Sequence, residues 1–185
     1  MSTDPASQTL KEKLGRQNLK WNWDSIAAEC VASPKRLLPS LLKHCTDPET
    51  AIQQNAGAVL GKIIDLDKQL LIPHLPKILN NLKAAPHDAV KRATMRVLQS
   101  IDIPEAVEGE VFDVAIRYVS DHREAIAIRA FSITVARRIC QRYPSLRHEV
   151  LPVVRGMLEQ KSPPGIIARA KREIKLLEAL SDLED

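Results

Sequence analysis

Aromatic side chains are scarce in this 185-residue chain, at 3% of positions against 44% hydrophobic residues overall. A core with so few rings must be made of Leu, Ile, Val and Ala, which interlock between closely spaced helices but give a small-molecule pocket few flat walls. There are only six glycines, and alternating Val, Thr and Tyr runs are missing, which argues against a sheet. The three cysteines, Cys30, Cys45 and Cys140, are an odd set without C-x-x-C spacing. That excludes a disulfide framework or a zinc site as the organising device, and the three are expected as reduced core thiols. No run approaches about 18 uninterrupted apolar residues, and the opening MSTDPASQTLKEKLG has neither a basic n-region nor an apolar h-region. No membrane span is expected, and a cytoplasmic location is.

What the chain does have is internal repetition. Residues 37–63 (LLPSLLKHCTDPETAIQQNAGAVLGKI) align with 74–101, 111–139 and 150–177, at offsets of 37, 37 and then 39 to 40 residues. Pro39, Pro76 and Pro152 occupy one equivalent place near the start of the first helix of each unit, with Asp113 in the third. They are expected to bend that helix or delimit its first turn. Pro48, Pro86 and Pro163 are expected to open the second helices, because a first-turn N–H has no helical partner to lose. Apolar residues follow helical spacing, as in Ile78, Leu79, Leu82 and in Val90, Ala93, Val97, Ile101. Small residues Ala56, Ala93, Ala130 and Ala170 recur at one position of the second helix, where bulk would push neighbours apart.

Three of the four units carry an Asp near the turn (Asp47, Asp88, Asp121), and three carry an Arg-Ala triplet: Lys91-Arg92-Ala93, Ile128-Arg129-Ala130 and Ala168-Arg169-Ala170. Proline in the first helix, turn Asp and the Arg-Ala pair together resemble the HEAT repeat over residues 34–180. The first unit departs from it with Gln54-Asn55-Ala56, and the fourth has Lys161-Ser162 in place of the Asp. The fold implied is all-α: an α-α superhelix, or HEAT-like solenoid, of about four helical hairpins with an N-terminal capping segment, because a lone hairpin cannot bury both apolar faces. The expected organisation is a tail and capping helices over 1–33, a repeat domain over 34–180 (34–70, 71–109, 110–148, 149–180) and an acidic tail over 181–185. Asp24 is expected to N-cap a helix over Ser25–Ala32 that Pro34 ends. Residues 1–5 are expected to be loose.

Twelve of the fourteen arginines lie between Arg92 and Arg172, within a modest net charge of +4. Arg92, Arg129 and Arg169 fall at equivalent positions, where the resemblance implies a structural ladder reaching Asp88 and Asp121 and the turn carbonyls. The candidate partner-binding residues are Arg96, Arg137, Arg138, Arg142, Lys171, Arg172 and Lys175, with Lys91 nearby. Stacked second helices, over 48–65, 86–101, 122–142 and 164–180, are expected to line a concave face. Cationic side chains there could meet phosphates, but eleven acidic residues between Asp88 and Glu173 make a mixed solvated face the simpler expectation.

Catalytic signals are missing. The chain resembles the HEAT-like alkylpurine DNA glycosylases, but its tryptophans, Trp21 and Trp23 beside Asp24, precede the repeats and are expected to seal the stack's end. The deoxyhypusine hydroxylase type needs several His-Glu pairs for two irons, and only His148-Glu149 occurs. His44, His74, His87 and His122 are scattered at expected turns and helix ends, as surface or capping groups. There is no G-x-S-x-G or phosphate loop. Gly57 and Gly61 form a G-x-x-x-G that close helix packing explains. A run from Ala125 to Ala136, apolar nearly all round, is expected to be buried on both flanks.

The sequence therefore points to a non-enzymatic scaffold without metal or cofactor that recognises a protein or peptide on the concave face. A nucleic-acid-binding protein with an arginine-rich concave face is the alternative.

Overall fold

The structure, a computed structural model, describes residues 5–15, 20–159 and 162–180, with side chains for all of these but Lys20 and Trp21. Lys161, the acidic end Ser181–Asp185 and residues 1–4 of the stretch expected to be loose lie outside the described residues, and Pro5 opens a helix.

Regular structure among the described residues is entirely helical. It comprises α1 (Pro5–Gly15), α2 (Lys20–Ala32), α3 (Pro34–His44), α4 (Thr50–Asp67), α5 (Leu75–Leu82), α6 (Asp88–Leu98), α7 (Glu105–Ser120), α8 (Ile126–Cys140), α9 (Arg147–Glu159) and α10 (Pro164–Glu178). Short 3-10 stretches at Lys68–His74 and Pro144–Leu146 lead into α5 and α9.

The chain forms two compact units, Met1–Ile101 and Asp102–Asp185. In the first, α1, α3 and α5 pack in succession, and α2, α4 and α6 do the same beside them. In the second, α7 and α9 form one row and α8 and α10 the other, with α7 against α8 and α9 against α10. Apolar stripes turn inward: Ile78, Leu79 and Leu82 of α5 are at most 4% exposed, and Val97 and Leu98 of α6 are fully buried. Burying a side chain of this size contributes roughly 1.5–3 kcal/mol, so a helix of eight residues with little intrinsic stability is held by its neighbours.

The prolines act in two ways. Pro76 lies in the first turn of α5, whereas Pro39 and Pro152 lie inside α3 and α9, and Asp113 lies inside α7. Pro48 and Pro86 do not open α4 and α6; they precede them by two residues. At Pro48 the Asp47 side chain accepts the Glu49 amide at 3.1 Å, folding the proline into a turn ahead of the helix. At Pro86 the His87 ring Nδ1 accepts the Ala89 amide at 3.1 Å and caps α6. Only Pro163 stands at the helix boundary, as the N-cap residue of α10, with Pro164 opening the first turn.

Two further expectations are corrected. Asp24 caps nothing: α2 begins four residues earlier, and Asp24 pairs with Lys62 of α4 at 2.7 Å. The apolar run at 125–136 is not buried throughout, because α8 starts at Ile126, which is 49% exposed.

Gly57 and Gly61 are unlike each other. A Cβ on Gly57 would lie 2.6 Å from the Ala89 carbonyl carbon and the Val90 nitrogen, so the α4 and α6 backbones touch there. At Gly61 the nearest such atom is Nη1 of Arg96 at 3.9 Å.

Candidate functional site

Glu173 is fully buried although it stands on α10 among charged residues. Its place is fixed by helical spacing: Ile166, Ala170, Ile174 and Leu177 form the inward stripe of α10, and Glu173 falls within it, facing α8. Thr134 of α8 donates its hydroxyl to Glu173 Oε1 at 2.8 Å, and Arg137 of α8 donates Nε to Oε2 at 3.0 Å. From α10 itself Arg172 Nη2 donates to Oε1 at 2.6 Å. Arg169 Nη1 donates to Thr134 Oγ1 at 2.8 Å and lies 3.9 Å from Oε1. Its guanidinium also sits over the Phe131 ring, 6.0 Å from the centroid.

Three guanidinium groups thus share one carboxylate. Burial works against the charge of Glu173, but hydrogen bonds from Arg172, Thr134 and Arg137 outweigh it and hold the carboxyl below its ordinary value. Burial and the nearby Arg172 charge push the pKa of Arg169 down. Exposure rises outward, from 14% for the Arg137 side chain to 24% for Arg169 and 59% for Arg172. On the outer side of α10, Lys171 and Lys175 are exposed.

The other basic residues singled out from the sequence are dispersed. Arg96 of α6 donates to the Gly61 carbonyl at 2.9 Å and to Asp65, both on α4. Arg138 lies 3.6 Å from Asp102. Arg142 donates to the Ile103 carbonyl at 3.2 Å and to Glu108, a carboxylate only 3% exposed that also accepts the Tyr143 hydroxyl at 2.9 Å. Lys91 pairs with Asp88 at 3.5 Å.

The three equivalent arginines have different partners. Arg129 is buried and gives Nε and Nη2 to the Val119 carbonyl, at 3.3 and 3.2 Å, at the end of α7. Asp121 instead takes the Arg123 side chain, at 2.9 and 2.8 Å, and the Arg123 amide. Those contacts hold its carboxyl well below the usual range. Arg92 is exposed, and Asp88 pairs with Lys91 rather than with it. Asn55, which replaces the arginine in the first unit, donates Nδ2 to the Leu14 carbonyl at the end of α1 at 2.7 Å and accepts Nε1 of Trp23 at 3.0 Å. Trp23 is therefore tied to the buried framework by its polar edge, while the Trp21 side chain lies outside the described residues. Asn81 does the same service for the Leu42 carbonyl near the end of α3, at 2.7 Å.

His44 departs from expectation. It is 4% exposed and lies between Ser7 and Asp47, with Nε2 3.2 Å from Ser7 Oγ and Nδ1 3.2 Å from Asp47 Oδ2. The order Ser, His, Asp is that of a nucleophilic triad, but Ser7 is itself 4% exposed, and Nε2 lies as close to the Ser7 backbone carbonyl, at 3.1 Å. A triad needs an approachable hydroxyl. The group instead pins α1 to α3, with Lys11 of α1 reaching Asp47 at 3.1 Å. The signal was present in the sequence: Ser7 lies in the stripe of Leu10 and Leu14, and His44 in that of Leu37 and Leu41.

Among the described residues no group of three or more His, Cys, Asp or Glu is arranged to hold a metal ion. No described helix is long and apolar enough to cross a membrane.

Hairpins packed row against row, with carbonyls at helix ends captured by neighbouring side chains, define an all-α helical-repeat protein of the solenoid class. The HEAT repeat domain family matches residues 7–176, and the chain belongs to that family. Such proteins are helical-repeat scaffolds, generally non-enzymatic and commonly engaged in protein interaction. None of the curated proteins and none of the solved structures compared with the chain matches it.

Proposed function

We propose that the protein is a non-enzymatic scaffold that recognises a partner protein or peptide through the exposed sides of its second helices. The observation that carries this reading is the Glu173 cluster: polar groups that reach the surface from α8 and α10 while anchored in the core. A surface built on packed helices is ordered before its partner arrives, so little conformational entropy remains to be lost on binding. The repeat boundaries at 34–70, 71–109, 110–148 and 149–180 are part of the same proposal.

Nucleic acid is the lesser reading. Arg96, Arg137, Arg142 and Arg172 each already face a carboxylate of their own unit, which offsets the charge that phosphates would meet.

A photo-crosslinking residue at Ala168, exposed on α10, compared with one at Arg155, exposed on α9, tests the proposal on a partner first captured and then purified. Adducts from position 168 that are reduced or lost from 155 are expected. A partner that crosslinks only from position 155 would move the binding face to the first helices.

A further inference from the structure

Ion pairs among the described residues are mostly one cation to one carboxylate, as in Lys13–Glu29, Lys62–Asp24, Arg96–Asp65 and Arg155–Glu178. The Glu173 cluster is not: Arg137, Arg169 and Arg172 face a single negative charge, and Lys171 and Lys175 add to the excess on the same helix. A guanidinium has five N–H donors in a planar fork. Each arginine gives one hydrogen bond to the Glu173–Thr134 pair, so its fork has further donors, and those of Arg172, 59% exposed, are the most open to solvent. Beside them is apolar surface: Leu176, one turn beyond Arg172, is 44% exposed, and Phe131 is partly exposed under Arg169.

We propose that this patch docks an acidic peptide segment whose carboxylates meet Arg169, Arg172 and Lys175 and whose apolar side chain lies against Leu176. The inference deepens the scaffold reading and rests on it. Glu173 then acts as an organiser: it holds like charges close together before the ligand arrives and fixes the guanidinium planes for bidentate contact. A peptide fits better than a nucleic-acid strand. The patch offers a few cations next to aliphatic surface, whereas a strand needs a long cationic track and stacking rings.

The test is fluorescence anisotropy on the full chain with a labelled twelve-residue peptide of Asp, Glu and Leu, its Asn/Gln counterpart and a short DNA duplex. Saturable binding of the acidic peptide is expected, at least roughly tenfold tighter than of the amide counterpart, and weakening as salt rises. Arg172→Gln with Lys175→Gln should lose most of that preference. Both positions are exposed, so the fold is expected to survive with a lower melting temperature from the lost Arg172–Glu173 bond, and retained helical circular dichroism at the assay temperature would check this. Equal affinity for both peptides, tighter binding of the duplex, or an acidic-peptide affinity unmoved by the double variant would overturn the proposal. A captured partner that still crosslinks from position 168 and binds the double variant normally would overturn this inference while leaving the scaffold function standing.

Discussion

Gly57 of α4 and Ala89 of α6 meet backbone to backbone: a methyl group on Gly57 would stand 2.6 Å from the Ala89 carbonyl carbon. No rotamer change can relieve such a clash, because the opposing atoms are main chain. Gly57→Ala should therefore destabilise by about 1–3 kcal/mol and lower the melting temperature by several degrees. Gly109→Ala and Gly156→Ala, where no atom lies within 4 Å of the added carbon, should stabilise by about 0.5–1 kcal/mol. Thermal melts of the three variants check this, and equal behaviour would remove the close contact as the explanation.

Ala85, in the turn after α5, has φ of 47°. That is a left-handed conformation in which a Cβ crowds the following carbonyl. Ala85→Gly should raise stability by up to about 1 kcal/mol, read as a shift in the urea midpoint at unchanged slope.

Arg129 and Arg92 occupy the same place in successive repeats and should respond oppositely. Arg129→Met removes the donors to a buried Val119 carbonyl and is expected to cost about 1–3 kcal/mol. Arg92→Gln, at an exposed site, should stay within about 0.5 kcal/mol of the parent. Chemical denaturation of both variants measures the contrast.

Glu173→Ala leaves three arginines without their shared carboxylate and should cost about 3–5 kcal/mol. The carboxyl is held below its ordinary value of 4.5 when folded. Its contribution is therefore fully present above about pH 4.5 and is lost as the pH falls through the lowered folded value. The melting-temperature gap between the parent and Glu173→Gln should accordingly be widest near neutrality and narrow below pH 4.5. A gap that widens on acidification would contradict the arrangement around Glu173.

Burial pushes the Cys30 and Cys45 thiols up to about 12 and Cys140 up to about 11. All three are then protonated at neutral pH and shielded from solvent. A thiol-reactive dye should label none of them in the native protein and all three in denaturant. Fast labelling under native conditions would show that a helix opens.

The hairpin periodicity was legible because steric rules govern it: the apolar stripes at helical spacing lie where each helix meets its neighbour, and the exposed prolines Pro39, Pro76 and Pro152 mark equivalent places on successive first helices. The equivalent alanines served the same purpose, with Ala56, Ala93 and Ala170 at most 4% exposed. Helix starts were less legible. At Pro48 and Pro86 the side chains of Asp47 and His87 compete with the proline as the start signal, and a hydrogen bond spanning two residues leaves no periodic trace. The arginine cluster was half visible. Arg137 and Arg172 stood out by charge, but Glu173 was one acid among eleven, and its importance follows from its angular position on α10. His44 and Ser7 were missed because polar residues within an apolar stripe were read by chemical type, when their spacing placed them inside.

The carbonyls of Leu14, Leu42 and Val119 each depend on a donor supplied by another helix: Asn55, Asn81 and Arg129. Those hairpins are consequently not interchangeable blocks. Excising one would strand the Asn55 or Asn81 amide in a dry interior and leave an acceptor bare on the other side of the cut, whereas Arg129 and Val119 share a hairpin and would travel together, so transplanting a repeat would require carrying its donor along.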